Sequence, residues 1–263
     1  MRELKLCFIG GGNMATALAA GLIGKRCGAG DVLVVDPSEP VRDRWKNQGT
    51  EVLSSPGALM GEHGVWIFAV KPQDLKDSIA ACKPFLGAGT LVLSVAAGIP
   101  AATIAAWLGA EGRPWPKVIR CMPNTPALIA SGVTGLVAAP GLSLDDKALG
   151  QQLLRGIGEV VWVDTDAEID AVTALSGSGP AYVFLFIEAL IEGGKALGLN
   201  DDQARTLALA TLNGATQLAA LSHESAAVLR ERVTSSGGTT AAALEVLEGA
   251  GFRSTVQAAM RAA

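Results

Sequence analysis

Over the first 160 or so residues, short unbroken apolar runs alternate with segments whose apolar positions recur every three or four residues. The runs at 5–9, 32–36, 65–70 and 91–95 read as strands, and those at 118–121, 135–137 and 160–163 extend the series. Unbroken apolar character is what strands buried on both faces require, and parallel sheets are buried in that way. The segments 14–22 and 40–48 between the runs read as helices. Strands alternating with helices imply right-handed crossovers and a doubly wound parallel sheet over residues 1–165.

Beyond Asp164 the strand pattern stops. A long apolar helix is expected over 179–197, with Pro180 suited to its first turn. Asn200, with Gln203 three residues later, is a capping-box signature for a helix reaching about Ser222. Shorter helices are expected over 225–232, 239–248 and 252–260. Residues 166–263 therefore read as an all-α domain, joined to the first with no Pro- or Ser-rich linker. Its stretches 189–199 and 207–221 are apolar on more than one face, more than a bundle of this size can bury. A dimer or larger oligomer built on this half is the expectation.

Composition sharpens that reading. Charged residues are 17% and hydrophobic residues 49% of the 263, yet aromatics are only 5%, which suits either a membrane protein or a soluble oligomer rich in small residues. The longest charge-free run, 84–110, is broken by Gly87, Gly89, Gly98 and Pro100, so no spanning segment is expected there. The first apolar run leads into a glycine loop rather than a cleavage site, so no signal peptide is expected. A net charge of −4 and the lack of a basic run argue against nucleic acid. Cys7, Cys27, Cys82 and Cys121 are scattered, and His63 and His223 sit in no motif, so reduced thiols, a cytoplasmic location and no metal are expected.

The first strand runs into Gly10-Gly11-Gly12-Asn13-Met14-Ala15, a G-x-G-x-x-A pattern ahead of a helix. Gly10 permits the tight turn, Gly12 leaves room for a pyrophosphate, and Ala15 lets the helix pack on the strand. With N–H groups at the helix start to hold phosphate, this is a Rossmann-type dinucleotide site. Asp36, ending the second strand, is placed to bond ribose hydroxyls and to favour NAD(H). Arg42 and Arg44 could instead meet a 2′-phosphate, and this stretch leaves the choice open. Ala69-Val70-Lys71-Pro72 and Val95-Ala96-Ala97 end further strands and should border the cofactor.

Arg120-Cys121-Met122-Pro123-Asn124-Thr125-Pro126 is stiffened by two prolines, and as a wall of the nicotinamide pocket or as a plain turn it reads equally well. Ser176-Gly177-Ser178-Gly179-Pro180 and Thr234 to Thr240 each put hydroxyls and glycines ahead of a helix, a pattern suited to capturing an anion with backbone N–H groups. With neither histidine in a motif, a reductase built from these parts suits a substrate already polarised by positive charge, such as a protonated imine.

With those residues in view, the chain resembles the pyrroline-5-carboxylate reductase family almost end to end. FIGGGNMA, AVKPQ, SVAAG, RCMPNTPA, AVTALSGSGPAYVF and VTSSGGTTAAALEVLEGAGF resemble the family's blocks in the family's order. The resemblance implies a Rossmann domain followed by a helical domain that dimerises by interlocking helices, with decamers in some members. It implies hydride transfer from NADPH or NADH to the C=N carbon of 1-pyrroline-5-carboxylate, giving L-proline. Gly238, Thr239 and Thr240 would hold the substrate carboxylate, and the Thr240 hydroxyl would meet the ring nitrogen. Ser178 and Asn124 join the implied substrate set. The implied cofactor set is Ile9, Gly10, Gly12, Asn13, Met14, Asp36, Ser55, the 69–72 segment and the 95–97 segment. The family often carries a neutral polar residue where Asp36 stands and commonly prefers NADPH, so stronger NADH use is the expectation here. Two other readings are a reductase of another small cyclic imine or keto acid, and a non-enzymatic dinucleotide sensor.

Overall fold

The computed structural model describes residues 4–263. The chain divides into two compact units, the first ending at Gly177 and the second covering Ser178–Ala263.

The first unit is built on an eight-stranded sheet. Its strands are β1 (Leu6–Ile9), β2 (Val32–Val35), β3 (Glu51–Leu53), β4 (Val65–Phe68), β5 (Leu91–Ser94), β6 (Val118–Met122), β7 (Gly132–Ala138) and β8 (Gly158–Trp162), in the order β3-β2-β1-β4-β5-β6-β7-β8. Helices α1 (Asn13–Leu22), α2 (Glu39–Lys46), α3 (Pro72–Cys82), α4 (Ala101–Leu108), α5 (Leu144–Leu154) and α6 (Asp166–Val172) belong to the same unit. Side chains alternate across a strand, and β1 feeds both layers. Leu6 and Phe8 join Leu18 and Leu22 of α1, Trp45 of α2 and Leu153 of α5 in one core. Cys7 and Ile9 join Leu75 and Ile79 of α3 and Ile104 and Leu108 of α4 in the other. The doubly wound expectation is met, and the chain reverses its direction of travel across the sheet between β1 and β4, where such sheets bind ligands.

Two features depart from the sequence reading. Strand β3 was not foreseen: it is a short edge strand, with Glu51 exposed, that offers no apolar run. Strand β7 runs antiparallel to β6, while the remaining neighbours pair in parallel. A parallel return needs a crossover of about a dozen residues or more, and the segment 123–131 is too short to supply one. By its internal contacts the chain divides after Gly177, while the sequence reading begins the helical domain at residue 166. Helix α6 stays with the sheet: Ile169 is fully buried in the second core, and Arg120 of β6 pairs with Asp166 and Asp170. An added Cβ at Gly135 on β7 would lie 2.7 Å from the Val172 side chain, so α6 approaches at a distance only glycine allows.

The second unit contains α7 (Gly179–Ala196), α8 (Asp201–Leu221), α9 (Ala226–Arg232), α10 (Thr239–Gly249) and α11 (Phe252–Ala262). Helix α8 begins with the expected capping box: Asn200 Oδ1 accepts from the Gln203 N–H at 2.9 Å, and Gln203 Oε1 accepts from the Asn200 N–H at 3.1 Å. Within the chain this unit buries only Ala204 and Ala208 of its apolar residues, and Phe184, Leu185, Leu207, Leu218 and Val246 are all exposed. One helical run among the described residues, Asp166–Ala196, is long and apolar enough to cross a membrane by length and composition. In a bundle lacking a core of its own, the same apolarity is what a face covered by another subunit requires.

Candidate active site

The glycine loop takes its shape from close approaches. Gly10 has φ +91°, and a Cβ there would stand 2.7 Å from the Ala69 carbonyl oxygen, so no other residue fits without strain. At Gly11 a Cβ would lie 2.6 Å from the Trp45 indole nitrogen, whereas at Gly12 it would meet nothing within 4 Å. Gly12 thus faces open space, the cradle a pyrophosphate needs. It also caps α1, whose first turn has no side-chain cap and no acidic residue, leaving the N–H groups of Asn13, Met14 and Ala15 available to an anion.

Asp36 braces this loop. Its Oδ2 accepts the Gly11 N–H at 2.8 Å and its Oδ1 accepts the Ser38 N–H at 2.9 Å. The Gly11 carbonyl accepts from Trp45 Nε1 at 2.9 Å and from Arg44 Nη2 at 2.8 Å, while Arg42 Nη1 donates to the Asp36 carbonyl at 2.8 Å. Trp45 is fully buried, and its part in holding the loop has no sequence signature, since a lone tryptophan on a helix reads as core.

A cleft of about 540 Å³ opens above these groups. Of the expected cofactor residues it gathers Ile9, Gly10, Gly12, Asp36, Ser55, Ala69, Val70 and Lys71, with Asp74 and Asp77 of α3 added. Asn13 and Met14 open α1, and Pro72 opens α3 at the cleft's edge. Val95 N–H donates to the Phe68 carbonyl, which sets the 95–97 segment beside the end of β4, with Ala96 buried. Sequence reasoning did not single out Asp74 and Asp77, which lie in the first two turns of the helix that AVKPQ begins.

Asn124 is nearly buried, and both ends of its amide are engaged. Nδ2 donates to the Ser176 carbonyl at 3.1 Å, and Oδ1 accepts the Val133 N–H at 2.9 Å. Arg120, 2% exposed, reaches Asp166 Oδ1 at 2.8 Å and Asp170 Oδ1 at 2.9 Å, and Asp166 Oδ1 also accepts the Ala101 N–H at 3.1 Å. Together they fix the strand end and the start of α6. The segment Thr173–Gly177 is a π-helical turn continuing α6, not an open anion loop, and its Ser176 hydroxyl donates to the Val172 carbonyl at 3.0 Å. Helical bonding consumes the N–H groups that the sequence reading offered to an anion there. π-turns of this kind recur at functional sites.

In the second unit, the loop before α10 does have the expected form. Gly237 has φ +69°, Gly238 caps the helix, and the Gly238 N–H donates to the Ser235 carbonyl at 3.0 Å. No side chain caps α10 and no acidic residue lies in its first turn, so the N–H groups of Thr239 and Thr240 face outward with an attractive field for an anion. Ser178 caps α7 through its backbone in a helical conformation, and its carbonyl accepts the Ala181 N–H.

Comparison with known proteins decides the family. A pyrroline-5-carboxylate reductase from Pseudomonas aeruginosa is 42% identical over the whole chain and 95% of its own length. The chain belongs to the pyrroline-5-carboxylate reductase family. The family model for pyrroline-5-carboxylate reductase dimerisation matches residues 166–263, and one for NADP oxidoreductase, coenzyme F420-dependent, matches residues 5–98. A pyrroline-5-carboxylate reductase structure from Coxiella burnetii superposes with a TM-score of 0.89 at 36% identity, over 99% of this chain and 96% of that one. The enzyme from Plasmodium falciparum, solved with NADP bound, gives 0.87 at 30% identity, over 100% of this chain and 96% of that one. The open cradle at Gly12 and the uncapped start of α1 fit the dinucleotide that this reductase family uses.

Proposed function

We propose that this protein reduces 1-pyrroline-5-carboxylate to L-proline, the last step of proline biosynthesis, and that the two uncapped helix starts divide the work. As a member of the pyrroline-5-carboxylate reductase family it is an NAD(P)-dependent oxidoreductase acting on an imine. The N–H groups at the start of α1 and the open face of Gly12 would hold the pyrophosphate. Ala69, Val70 and Lys71 would border the dinucleotide, with Ser55 across the cleft. The bound cofactor supplies the hydride, and the chain supplies orientation and electrostatics.

The N–H groups of Thr239 and Thr240 would bind the substrate carboxylate, with Gly238, whose own N–H is held by the Ser235 carbonyl, shaping the turn beneath it, and the Thr240 hydroxyl would hydrogen-bond the ring nitrogen. Hydride adds to the C=N carbon, the π pair returns to a nitrogen that already carries its proton in the bound iminium, and no acid is needed in that step, so positioning carries most of the catalysis. Asn124 is assigned to holding the Ser176 turn, because its amide is already bonded to backbone on both sides. The observation that carries this reading is the uncapped, acid-free start of α10 behind Gly237 and Gly238. The helical half is matched as a dimerisation region, and a dimer interlocked through it in the cytoplasm, assembling further to a decamer, is the assembly we favour.

The test is Thr240→Val. It should lower kcat/KM for pyrroline-5-carboxylate by about 10²-fold, in the range seen when a positioned transition-state hydrogen bond is removed, with cofactor Kd unchanged. Unchanged kcat/KM would remove Thr240 from the site, and no cofactor oxidation by the unaltered enzyme with either nucleotide would overturn the function.

A further inference from the structure

We infer that this cleft selects the dinucleotide lacking a 2′-phosphate, NADH, and that Asp36 is the residue that decides it. The inference rests on the reductase reading above and deepens it by naming the cofactor.

Three observations converge. The charged side chains lining the cleft are Asp36, Asp74, Asp77 and Lys71, three acids against one base. A 2′-phosphate brings roughly −1.5 to −2 further charge at neutral pH, so the lining repels it. The two arginines that could answer that charge do not line the cleft, Arg44 Nη2 donating to the Gly11 carbonyl and Arg42 Nη1 to the Asp36 carbonyl. The Asp36 carboxylate is also fixed in place, one oxygen on the Gly11 N–H and the other on the Ser38 N–H. It cannot swing aside for a phosphate without releasing the glycine loop that holds the rest of the cofactor. Each oxygen keeps a lone pair, so the same carboxylate can accept from ribose hydroxyls, which NADH has and NADPH has partly lost.

Binding is measured without substrate, so a failure here is distinct from a failure of the proposed reaction. Titration of the full-length protein with NADH and with NADPH, followed by fluorescence, should give a Kd for NADH lower by about tenfold or more. The ratio should narrow as salt rises, because exposed charges are screened. Asp36→Ser should bring the two Kd values together or reverse them, and Asp36→Asn, which keeps the side chain's shape, should move the ratio the same way. Asp74→Asn combined with Asp77→Asn should move it less. Arg42→Ala and Arg44→Ala should not move it toward NADH. NADPH bound as tightly as NADH by the unaltered protein, a ratio unmoved by both Asp36 variants, or a shift toward NADH on losing either arginine would overturn the inference. If neither Asp36 variant folds, the salt series on the unaltered protein decides, and a ratio independent of salt overturns it.

Discussion

The two units solve the burial problem in opposite ways. The sheet unit encloses its own apolar surface: every residue of β1, β2, β4 and β5 is buried, and helices cover both faces. The helical unit buries two alanines and leaves Phe184 57% and Leu185 67% exposed. One region's stability is thus written into its own chain, whereas the other's depends on what is laid against it. The functional parts follow the same division. The glycine loop is braced by contacts within the first unit, and the carboxylate cradle we propose lies on the unit whose apolar faces are left uncovered within the chain.

The sharpest way to break this contrast is to place a charge on each surface. Phe184→Asp puts a carboxylate on a face that dimerisation would desolvate, at a cost of several kcal/mol, which weakens association by more than about 100-fold. Sedimentation at micromolar concentration should show monomer, and reductase activity should fall with it. Leu144→Asp, at a residue 82% exposed at the start of α5, should leave both unchanged. A dimeric Phe184→Asp protein would mean that this face is not the one covered.

A core substitution probes the other side of the comparison. Leu18→Ala, in the layer between α1 and the sheet, should cost about 2–5 kcal/mol by the lost burial and the cavity left behind. Urea unfolding should register it while the oligomer persists. Arg120→Ala should follow at about 2–3 kcal/mol, the scale of charge-assisted hydrogen bonds lost from a buried group. Asp170 is well exposed and recovers water, so the figure stays below that for a fully buried pair.

Much of this division was legible in the sequence. Unbroken apolar runs named the central strands because burial on both faces leaves no alternation, and Gly10, Gly12 and Asp36 were legible because a dinucleotide turn restricts which residues fit. What stayed hidden depends on partners distant in sequence. Strand β3 is specified by its neighbour β2 rather than by apolar content, and the direction of β7 by the length of 123–131. The bond from Trp45 to the Gly11 carbonyl spans 34 positions, and the π-turn at 173–177 replaces an apparent loop because the helix continues through Ser176 and Gly177. Local pattern reports local demands, and the cofactor loop's brace is not local.

The smallest expected effect separates the units through their matching capping boxes. Thr165 and Glu168 cap α6 in the sheet unit, and Asn200 and Gln203 cap α8 in the helical unit. Thr165→Ala and Asn200→Ala should each cost about 1 kcal/mol. The boxes differ in the cap itself, a Thr hydroxyl against an Asn amide, and in whether they titrate: a carboxylate returns the second bond in the first, an uncharged amide in the second. The Glu168 carboxyl is held below its ordinary range by the Asp164 and Thr165 N–H groups, which bond it at 2.7 and 3.0 Å. A carboxyl whose folded pKa is depressed adds stability that is present above its unfolded pKa and is lost as pH falls through the folded value. The penalty of Glu168→Gln, measured by urea unfolding, should therefore shrink as the pH drops below about 4.3, the ordinary glutamate value. The penalty of Gln203→Ala should stay constant over the same range, because nothing in that box titrates. A Glu168→Gln penalty that is flat with pH would show that the α6 cap draws nothing from the carboxylate's charge, and the two boxes would then be equivalent.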